Sequence, residues 1–138
     1  MVKLANEEQS QVKRATRAAY GATLAELANE GLPVVAVDAD LTGSTTTKKL
    51  ADAGFADRLF NCGIAEQNMV GGAAGLAACG NKVFLATFAV FASMRACEQV
   101  RTFVCYPNLN VTVIGTHTGL QVGGDGATHA AIEDVAIM

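Results

Sequence analysis

The sequence predicts an α/β protein, a three-layer sandwich with a mainly parallel sheet between two layers of helices. Two observations carry this prediction. Short, continuous apolar runs of the kind found in buried parallel strands alternate with longer segments whose apolar residues recur at helical spacing. A polar loop also follows each apolar run. Strands that alternate with helices form a parallel sheet through right-handed crossovers, with helices on both of its faces.

The first elements of this pattern are a helix, a strand and a second helix. The helix over residues 9–29 rests on apolar positions at roughly helical spacing, and Gly31 and Pro33 end it. The continuous apolar run at residues 34–37 predicts the first strand. The polar loop after that strand leads into a helix predicted over residues 46–53.

The alternation continues from a second strand at residues 58–62. The next segment, rich in small and apolar residues, reads as a buried helix that Gly80 closes, and a later helix ends at the turn formed by Pro107. In chain order these elements are a helix over residues 65–79, a strand at residues 82–88, a helix over residues 93–105, a strand at residues 111–116, and a final helix that starts near Ala130.

Size, charge and composition limit the possible functions. The 138 residues are 51% hydrophobic and carry a formal charge of −3, which predicts one domain with its own core. No cluster of lysine and arginine stands out, so neither nucleic acid nor a membrane surface is predicted as a partner. No apolar run suits a membrane span, and the polar N-terminus lacks a signal peptide, so a cytoplasmic protein is predicted. The four cysteines lack metal-binding spacing, so no metal site is predicted.

Polar and aromatic residues follow each predicted strand. In an open parallel sheet, ligands bind beyond the carboxyl ends of the strands, and all of these loops lie at that edge. The sequence therefore predicts a functional site there. The residues that follow the four strands are Asp38 to Asp40, Gly63 to Glu66, Thr87 with Phe88, and Thr116 with His117.

Glu66 is the most distinctive residue of this edge. A carboxylate in the first turn of a helix is ordinary, because the positive end of the helix dipole favours it. The glycines and alanines that follow Glu66 predict deep burial, however, where an unpaired carboxylate is costly. From spacing alone, a structural and a functional explanation of Glu66 both remain open.

Two further groups of residues are candidates for the same site. His117 and His129 bracket a glycine-rich loop that holds Asp125, either as solvated surface histidines or as groups for polar substrate recognition and proton transfer. Phe88 ends a strand and Phe91 precedes a helix, a location that suits stacking on a flat heterocycle, although such pairs also occur in cores.

Two other patterns favour simpler interpretations. Arg95, Glu98 and Arg101 share helical spacing and are interpreted as a solvated face of ion pairs. Gly124 and Gly126 could begin a dinucleotide-binding motif, but His129 stands at the third glycine position. The second pattern therefore predicts no dinucleotide site.

Several stretches, taken together and in order, closely resemble the pyrimidine-binding domain of transketolases. They are GIAEQNMVGGAAGLAACG, ATFAVF and THTGLQVGGDGATHAAIED, and they look most like the form in which transketolase is split over two polypeptides. The likeness covers residues 15–138. It implies the pyrimidine-domain fold of thiamine diphosphate enzymes, in one domain over residues 1–138 that is incomplete at its C-terminal end.

The resemblance implies a purpose for Glu66. In similar enzymes, the matching glutamate hydrogen-bonds a ring nitrogen of the aminopyrimidine of thiamine diphosphate and favours its imino tautomer. Phe88 and Phe91 match the aromatic residues around this ring, with Phe91 the better candidate for stacking. Asp40 matches an aspartate that shapes the cofactor pocket.

The resemblance also implies which residues bind substrate. Asp125 and His129 match residues that contact substrate hydroxyls near the reacting carbons, so both are expected to take part in catalysis. His117 matches a histidine near the sugar phosphate end. Arg17 and Ser44 match the other phosphate-binding positions, and the guanidinium of Arg17 suits fork-like recognition of phosphate.

The chain is expected to act only with a partner. It lacks the family's signature for the diphosphate, so a transketolase N-terminal subunit is expected to hold the diphosphate and its Mg²⁺ or Ca²⁺. An aromatic residue of the family after Phe91 has no equal here, where Met94 and Arg95 stand. The implied active site lies at a subunit interface of a homodimer or hetero-tetramer, so the chain should expose an apolar, glycine-rich face.

The implied activity is that of a transferase, which moves a two-carbon ketol unit between sugar phosphates in the pentose phosphate part of carbohydrate metabolism. A deoxyxylulose-phosphate synthase or the beta subunit of a 2-oxoacid dehydrogenase would share the role of Glu66. Arg17, Ser44 and the loop over residues 117–129 favour sugar phosphates over these alternatives. Outside thiamine chemistry, the alternative is a non-catalytic α/β module that binds proteins through the same sheet edge.

Overall fold

A four-stranded parallel sheet forms the centre of the protein, whose computed structural model describes residues 13–138. Its strands are β1 (Val34–Asp38), β2 (Leu59–Asn61), β3 (Lys82–Phe88) and β4 (Val111–Thr116). They lie in the order β2-β1-β3-β4, and all three neighbouring pairs are parallel. The predicted parallel sheet and the positions of its strands are confirmed.

Helices and helical turns connect the strands. Within residues 13–138, no helix is both long enough and apolar enough to cross a membrane. The helical elements are α1 (Thr16–Asn29), α2 (Thr42–Thr45), α3 (Lys49–Asp52), a 3-10 turn (Ala56–Arg58), α4 (Glu66–Ala78), a π turn (Phe91–Arg95), α5 (Cys97–Gln99), a second π turn (Val100–Cys105), a 3-10 turn (Ala127–His129) and α6 (Asp134–Ile137).

Both faces of the sheet bury apolar side chains. On one face, Val34 packs in a cluster with Leu24 of α1 and Leu50 of α3. On the other face, Val37 packs in a second cluster with Met69 of α4. Neighbouring strand residues divide between the clusters because successive side chains of a strand point to opposite faces. The predicted three-layer arrangement is thus confirmed.

Two short helices replace the single helix predicted over residues 46–53. Thr46 adopts a left-handed conformation with φ of +68°, which separates α2 from α3. The Thr46 hydroxyl donates a hydrogen bond to the main-chain carbonyl of Arg17. A methyl group added to Gly21 would lie 2.5 Å from the main-chain oxygen of Thr46. The prediction was wrong because this contact with α1, which is distant in sequence, sets the backbone at Thr46.

Both ends of the chain differ from the predicted helices. Residues 9–12 of the predicted first helix lie outside the described residues, and residues 13–15 are not helical, so that α1 begins at Thr16. The final helix begins at Asp134 rather than near Ala130. The cause is a bridge in which the main-chain nitrogen of Gly119 donates to the carbonyl of Ala131 over 2.8 Å. This antiparallel bridge keeps the backbone extended at Ala131, so the helix begins only after it.

The segment over residues 91–105 is not the regular α-helix predicted for residues 93–105. Two π turns flank α5, and the main-chain nitrogen of Ala96 donates to the carbonyl of Phe91 over 3.1 Å. Such hydrogen bonds across five residues are rare and occur frequently at functional sites. The wider turn changes which side chains share a face of the segment.

The carboxyl ends of the strands meet at one edge of the sheet, as predicted. Asp38 at the end of β1 pairs in register with Asn61 at the end of β2. Phe88 at the end of β3 pairs with Thr116 at the end of β4. The loops that leave these four positions surround the candidate site.

Candidate active site

Glu66 opens α4 with its side chain only 2% exposed. The chain reaches this position through a tight loop, in which Gly63 has φ of +68° and its carbonyl accepts a hydrogen bond of 2.8 Å from the nitrogen of Ala65. The main-chain nitrogen of Gly63 in turn donates to the Asn61 side chain over 3.0 Å. A glycine suits this positive φ at little steric cost. The loop from β2 therefore aims a buried carboxylate at the edge of the sheet.

A cavity of about 420 Å³ lies at this edge. Four of the residues predicted for the site contribute to its wall, and they come from four separate parts of the chain. They are Asp40 after β1, Glu66 at the start of α4, Phe91 after β3 and His129 in the loop after β4. The sheet topology thus brings together residues that the sequence separates.

Four aromatic rings pack beside the cavity. Phe88 and Phe91 lie nearly parallel, with ring centroids 6.0 Å apart and 10° between their planes. The ring of His129 meets Phe91 edge-on at 5.3 Å, and the ring of His117 lies 4.1 Å from Phe88. Phe88 is buried at 4% exposure, whereas Phe91 is partly exposed. Phe91 therefore has the accessible ring for stacking, and Phe88 supports the two histidines.

Arg95 belongs to the same cavity, and the sequence did not predict this. Its Nη1 donates a hydrogen bond of 2.9 Å to Glu66 Oε1, and its guanidinium carbon lies 4.2 Å from the centroid of the Phe91 ring. The interpretation of Arg95 and Glu98 as one solvated ion-pair face was wrong, since Glu98 accepts instead from Thr102 at 2.7 Å. One feature of the sequence could have indicated this role of Arg95: the family has an aromatic residue after Phe91, and here Met94 and Arg95 stand in its place.

Asp38 fixes the loop that carries Asp40. Its carboxylate accepts hydrogen bonds from the Thr45 hydroxyl at 2.7 Å and from the main-chain nitrogen of Leu41 at 2.6 Å. Burial raises the pKa of Asp38, and these two hydrogen bonds oppose the rise. Asp40 then adopts φ of +64°, and its main-chain nitrogen donates to Asn61 Oδ1 over 3.0 Å. A buried polar network therefore sets the cavity wall at Asp40.

His117 connects β4 with α1. Its Nε2 contacts the guanidinium of Arg17, and its Nδ1 lies 2.9 Å from the hydroxyl of Thr116. Arg17 can only donate, so Nε2 accepts and the proton belongs on Nδ1. Burial, followed by the charge of Arg17, lowers the pKa of His117, and the charge of Asp125 opposes them. His117 also has φ of +56°, an uncommon backbone conformation of the kind that clusters at functional sites.

The other five predicted residues do not belong to the wall of the cavity. Phe88, His117 and Arg17 make the contacts described above, whereas Ser44 and Asp125 are exposed. Ser44 is exposed on α2, and among residues 13–138 it has no hydrogen bond to another predicted site residue. Asp125 is exposed in a turn closed by the Gly126 nitrogen and the Gly123 carbonyl at 3.2 Å. Asp125 is nevertheless close enough to influence His117. The structure thus joins Arg17 and His117 by a direct contact, and Asp125 acts on this pair only through its charge.

The groups that face the cavity fit an aminopyrimidine ring. The buried carboxyl group of Glu66 can share a proton with a ring nitrogen, and among the described residues only its Oε1 is already engaged, by Arg95. Phe91 supplies an aromatic face, on which flat heterocycles stack. Within residues 13–138, no three histidine, cysteine, aspartate or glutamate side chains lie together in a way that could hold a metal ion.

Known proteins resemble the chain over nearly its whole length. The sequence model of the family described as "Transketolase, pyrimidine binding domain" matches residues 12–138. A protein of Methanocaldococcus jannaschii, provisionally named a transketolase C-terminal section, is 51% identical over 138 residues, which are 100% of this chain and 42% of that protein. A 6-deoxy-6-sulfo-D-fructose transketolase subunit of Clostridium sp. (strain MSTE9) is 41% identical over 122 residues, 88% of this chain and 38% of that subunit.

A solved structure has the same fold. It is a split-gene transketolase described as an inactive beta4 tetramer, and it superposes with a TM-score of 0.77 at 51% sequence identity. The superposition covers 92% of this chain and 40% of the other. The chain thus spans less than half the length of the relatives it matches. The predicted resemblance is confirmed, and the chain belongs to the transketolase pyrimidine-binding domain family.

Proposed function

We propose that this chain is the pyrimidine-binding half of a thiamine diphosphate-dependent transketolase, a transferase that moves a two-carbon ketol unit between sugar phosphates. The observation that carries the proposal is the carboxylate of Glu66, 2% exposed and opening into a cavity that it shares with Phe91 and His129. Burying a carboxylate is costly unless it gains a partner. A ring nitrogen of the aminopyrimidine is a partner of suitable shape and hydrogen-bonding capacity.

Glu66 holds the ring nitrogen and shares its proton, while Phe91 stacks on the ring. Phe88 lies 6.0 Å behind Phe91 and keeps its plane in place. Asp40 also lines the cavity and shapes the pocket for the ring. Thiamine diphosphate, when bound, supplies the electron sink for cleavage of the carbon–carbon bond next to the ketose carbonyl. The residues of this chain contribute position, exclusion of water and control of one proton.

Five predicted residues in and near the cavity bind the sugar phosphate. His129 and Asp125 contact hydroxyls near the reacting carbons, and His117 lies toward the phosphate end. Arg17 and Ser44 bind the phosphate, and the guanidinium of Arg17 can donate two parallel hydrogen bonds to it. The relative from Clostridium is named for a sulfo-sugar. A sulfonate and a phosphate are both oxyanions, which supports an arginine at the far end of the substrate.

A transketolase N-terminal subunit supplies the diphosphate site and its Mg²⁺ or Ca²⁺. It packs on the outer face of α4, where Asn68, Gly72, Gly75 and Cys79 form an exposed stripe. A side chain added at Gly72 or Gly75 would meet no atom within 4 Å, so another backbone can approach closely. Ile64, 78% exposed, joins this face to the cavity. The assembly is a homodimer or hetero-tetramer that acts in the cytoplasm, in the pentose phosphate part of carbohydrate metabolism.

The first prediction tests the role of Glu66. With the partner subunit and Mg²⁺ present, we expect Glu66→Gln to lower the rate of ketol transfer by about 10²–10⁴-fold, the usual contribution of a positioned acid–base group. The amide keeps the shape of the side chain but cannot share the ring proton. Steady-state kinetics would measure the rate, and calorimetry would measure the binding of thiamine diphosphate.

The matched control is Glu26→Gln, which removes an exposed carboxylate from α1 on the other face of the sheet. It should leave both activity and binding unchanged. Ketol transfer by Glu66→Gln at the unaltered rate would contradict the proposed role. If thiamine diphosphate did not bind even with a competent partner, the protein-binding module would be the better explanation.

A further inference from the structure

Arg95 already makes the two contacts that the cofactor ring is expected to make. Its Nη1 donates to Glu66 Oε1 over 2.9 Å, and its guanidinium carbon lies 4.2 Å from the centroid of Phe91. All three side chains belong to the wall of the cavity of about 420 Å³. The carboxylate and the aromatic face that would bind the ring are therefore engaged by a side chain of the same chain.

A guanidinium and an aminopyrimidine share the chemistry that these contacts need. Both are flat and delocalised. The guanidinium presents N–H donors at its edge, and the ring nitrogen presents one to Glu66 when it carries the proton that the two share. Two flat groups cannot stack on the same face of Phe91 at once. On the proposed function given above, we infer that Arg95 is an internal competitor of the cofactor's aminopyrimidine ring, so that binding of the ring displaces the guanidinium from both Glu66 and Phe91.

The surroundings of Arg95 allow this displacement. Its side chain is 48% exposed, so the released guanidinium can return to water. Its backbone is fixed separately, because the Gln67 side chain donates to the Arg95 carbonyl over 3.1 Å and the residue ends a π turn. Only the side chain therefore has to move. Water screens the half-exposed guanidinium and weakens both of its contacts, so a ligand that offers the buried Glu66 another partner can displace it.

The pair with Arg95 also explains how Glu66 is tolerated. A buried carboxylate without a partner destabilises the fold. Arg95 supplies a partner from the mouth of the cavity, and the ring replaces it on binding. Arg95 therefore supports the fold while it lowers the affinity for the cofactor.

The test is the affinity for thiamine diphosphate, measured by calorimetry with Mg²⁺ and the diphosphate-binding partner subunit. We expect Arg95→Met to bind thiamine diphosphate about 3- to 10-fold more tightly than the unaltered protein, the gain that corresponds to removing one half-exposed ion pair and one cation–π contact. Arg95→Lys keeps the charge without a flat group, and its affinity should fall between the two. Methionine preserves the length and apolar stem of the side chain.

The matched control is Arg101→Met, an exposed arginine of the same segment. Both methionine variants lose one positive charge, which by itself weakens the attraction of an anionic cofactor. General electrostatics therefore predicts weaker binding by both variants. Tighter binding by Arg95→Met, but not by Arg101→Met, would support the displacement of Arg95. Equal or weaker binding by Arg95→Met, with binding by the unaltered protein intact, would overturn the inference and leave the proposed function standing. Failure of every variant to bind would overturn both.

A second measurement needs neither cofactor nor partner. Glu66→Gln, Arg95→Met and the double variant are compared by thermal unfolding of the chain itself. If the two side chains are paired, the double variant should lose less Tm than the sum of the two single losses. Additive losses would show that the pair does not form and would also overturn the inference.

Discussion

The surroundings of His117 favour its neutral form, and the stability of the folded chain therefore depends on pH. Burial and the charge of Arg17 lower the pKa of His117 below 6.5, against the opposing charge of Asp125. The folded chain then binds fewer protons at this site than the unfolded chain. The stability that the neutral imidazole contributes is therefore fully present above about pH 6.5, the ordinary histidine value, and is lost as the pH falls through the folded pKa.

The second prediction is the titration of His117 followed by NMR of the imidazole ring. We expect its midpoint below 6.5, an upward move in Arg17→Met, and a further downward move in Asp125→Asn. Removing a cation favours the protonated ring, and removing an anion disfavours it. Arg14→Met is the control, since Arg14 is exposed and donates to the Ala18 carbonyl instead. A midpoint unaffected by Arg17→Met would contradict the pairing of Arg17 with His117.

The residues of the cavity could be predicted to different extents. The burial and position of Glu66 followed from a helix start rich in small residues, and both are confirmed by its 2% exposure. Arg95 could not be placed, because a spacing of 3.6 residues per turn assigns it to a solvated face. The π turn over Phe91–Arg95 breaks that spacing and turns the guanidinium toward Glu66. A local pattern cannot show which turn is π, since the favourable contacts come from distant residues.

At the scale of elements, the packing of α1 depends on one glycine. Gly21 is buried, and a methyl group there would lie 2.5 Å from Thr46, in the turn between α2 and α3. The third prediction is that Gly21→Ala destabilises the chain by about 1–2 kcal/mol. A clash with a main-chain oxygen should cost about 2–3 kcal/mol, the upper part of the usual range for overpacking, and improved helix propensity returns about 1 kcal/mol. Urea unfolding would measure the free energy difference.

The same substitution of glycine by alanine in another helix should raise the stability of the chain rather than lower it. Gly72 lies within α4, and a methyl group added there would meet no atom within 4 Å beyond the local backbone of the helix itself. Gly72→Ala should therefore stabilise the isolated chain by about 0.5–1 kcal/mol, the difference between glycine and alanine inside a helix. Destabilisation by both variants would mean that the close approach at Gly21 is not what distinguishes the two helices.

The strands could be predicted more closely than the helices. The apolar runs that became β3 and β4 have the predicted bounds, because a buried parallel strand requires a continuous apolar run wherever it lies. The region predicted as one helix over residues 46–53 instead contains the left-handed Thr46, which packs against α1. Its local sequence did not encode that break, since the cause is a contact with a residue far away in the chain.

At the scale of the whole molecule, the sheet order produces the cavity. β1 and β3 are central strands, so the loops after them face each other between the loops of β2 and β4. Alternation of strands and helices was enough to predict that these loops share an edge. It was not enough to predict that Ser44 and Asp125 lie outside the cavity wall, because the course of long loops is set by contacts such as the Gly119–Ala131 bridge.

The outer face of α4 carries the last prediction, which concerns assembly. Gly75 lies in the exposed stripe, with open space around an added side chain. Gly75→Leu should therefore leave the isolated chain folded while it blocks close approach of another backbone. We expect its affinity for the N-terminal partner subunit to fall by about 5- to 150-fold, the range that overpacking of about 1–3 kcal/mol implies. Sedimentation of the mixed subunits would measure the assembly.

Thr23→Leu is the matched control, because it places the same side chain on the exposed surface of α1, on the opposite face of the sheet. It should assemble with the partner like the unaltered chain. Since Ile64 connects the α4 face to the cavity, loss of assembly in Gly75→Leu should also weaken thiamine diphosphate binding, although residue 75 does not belong to the cavity wall. Unchanged sedimentation of Gly75→Leu would mean that the partner packs elsewhere, and that the open space along α4 has another cause.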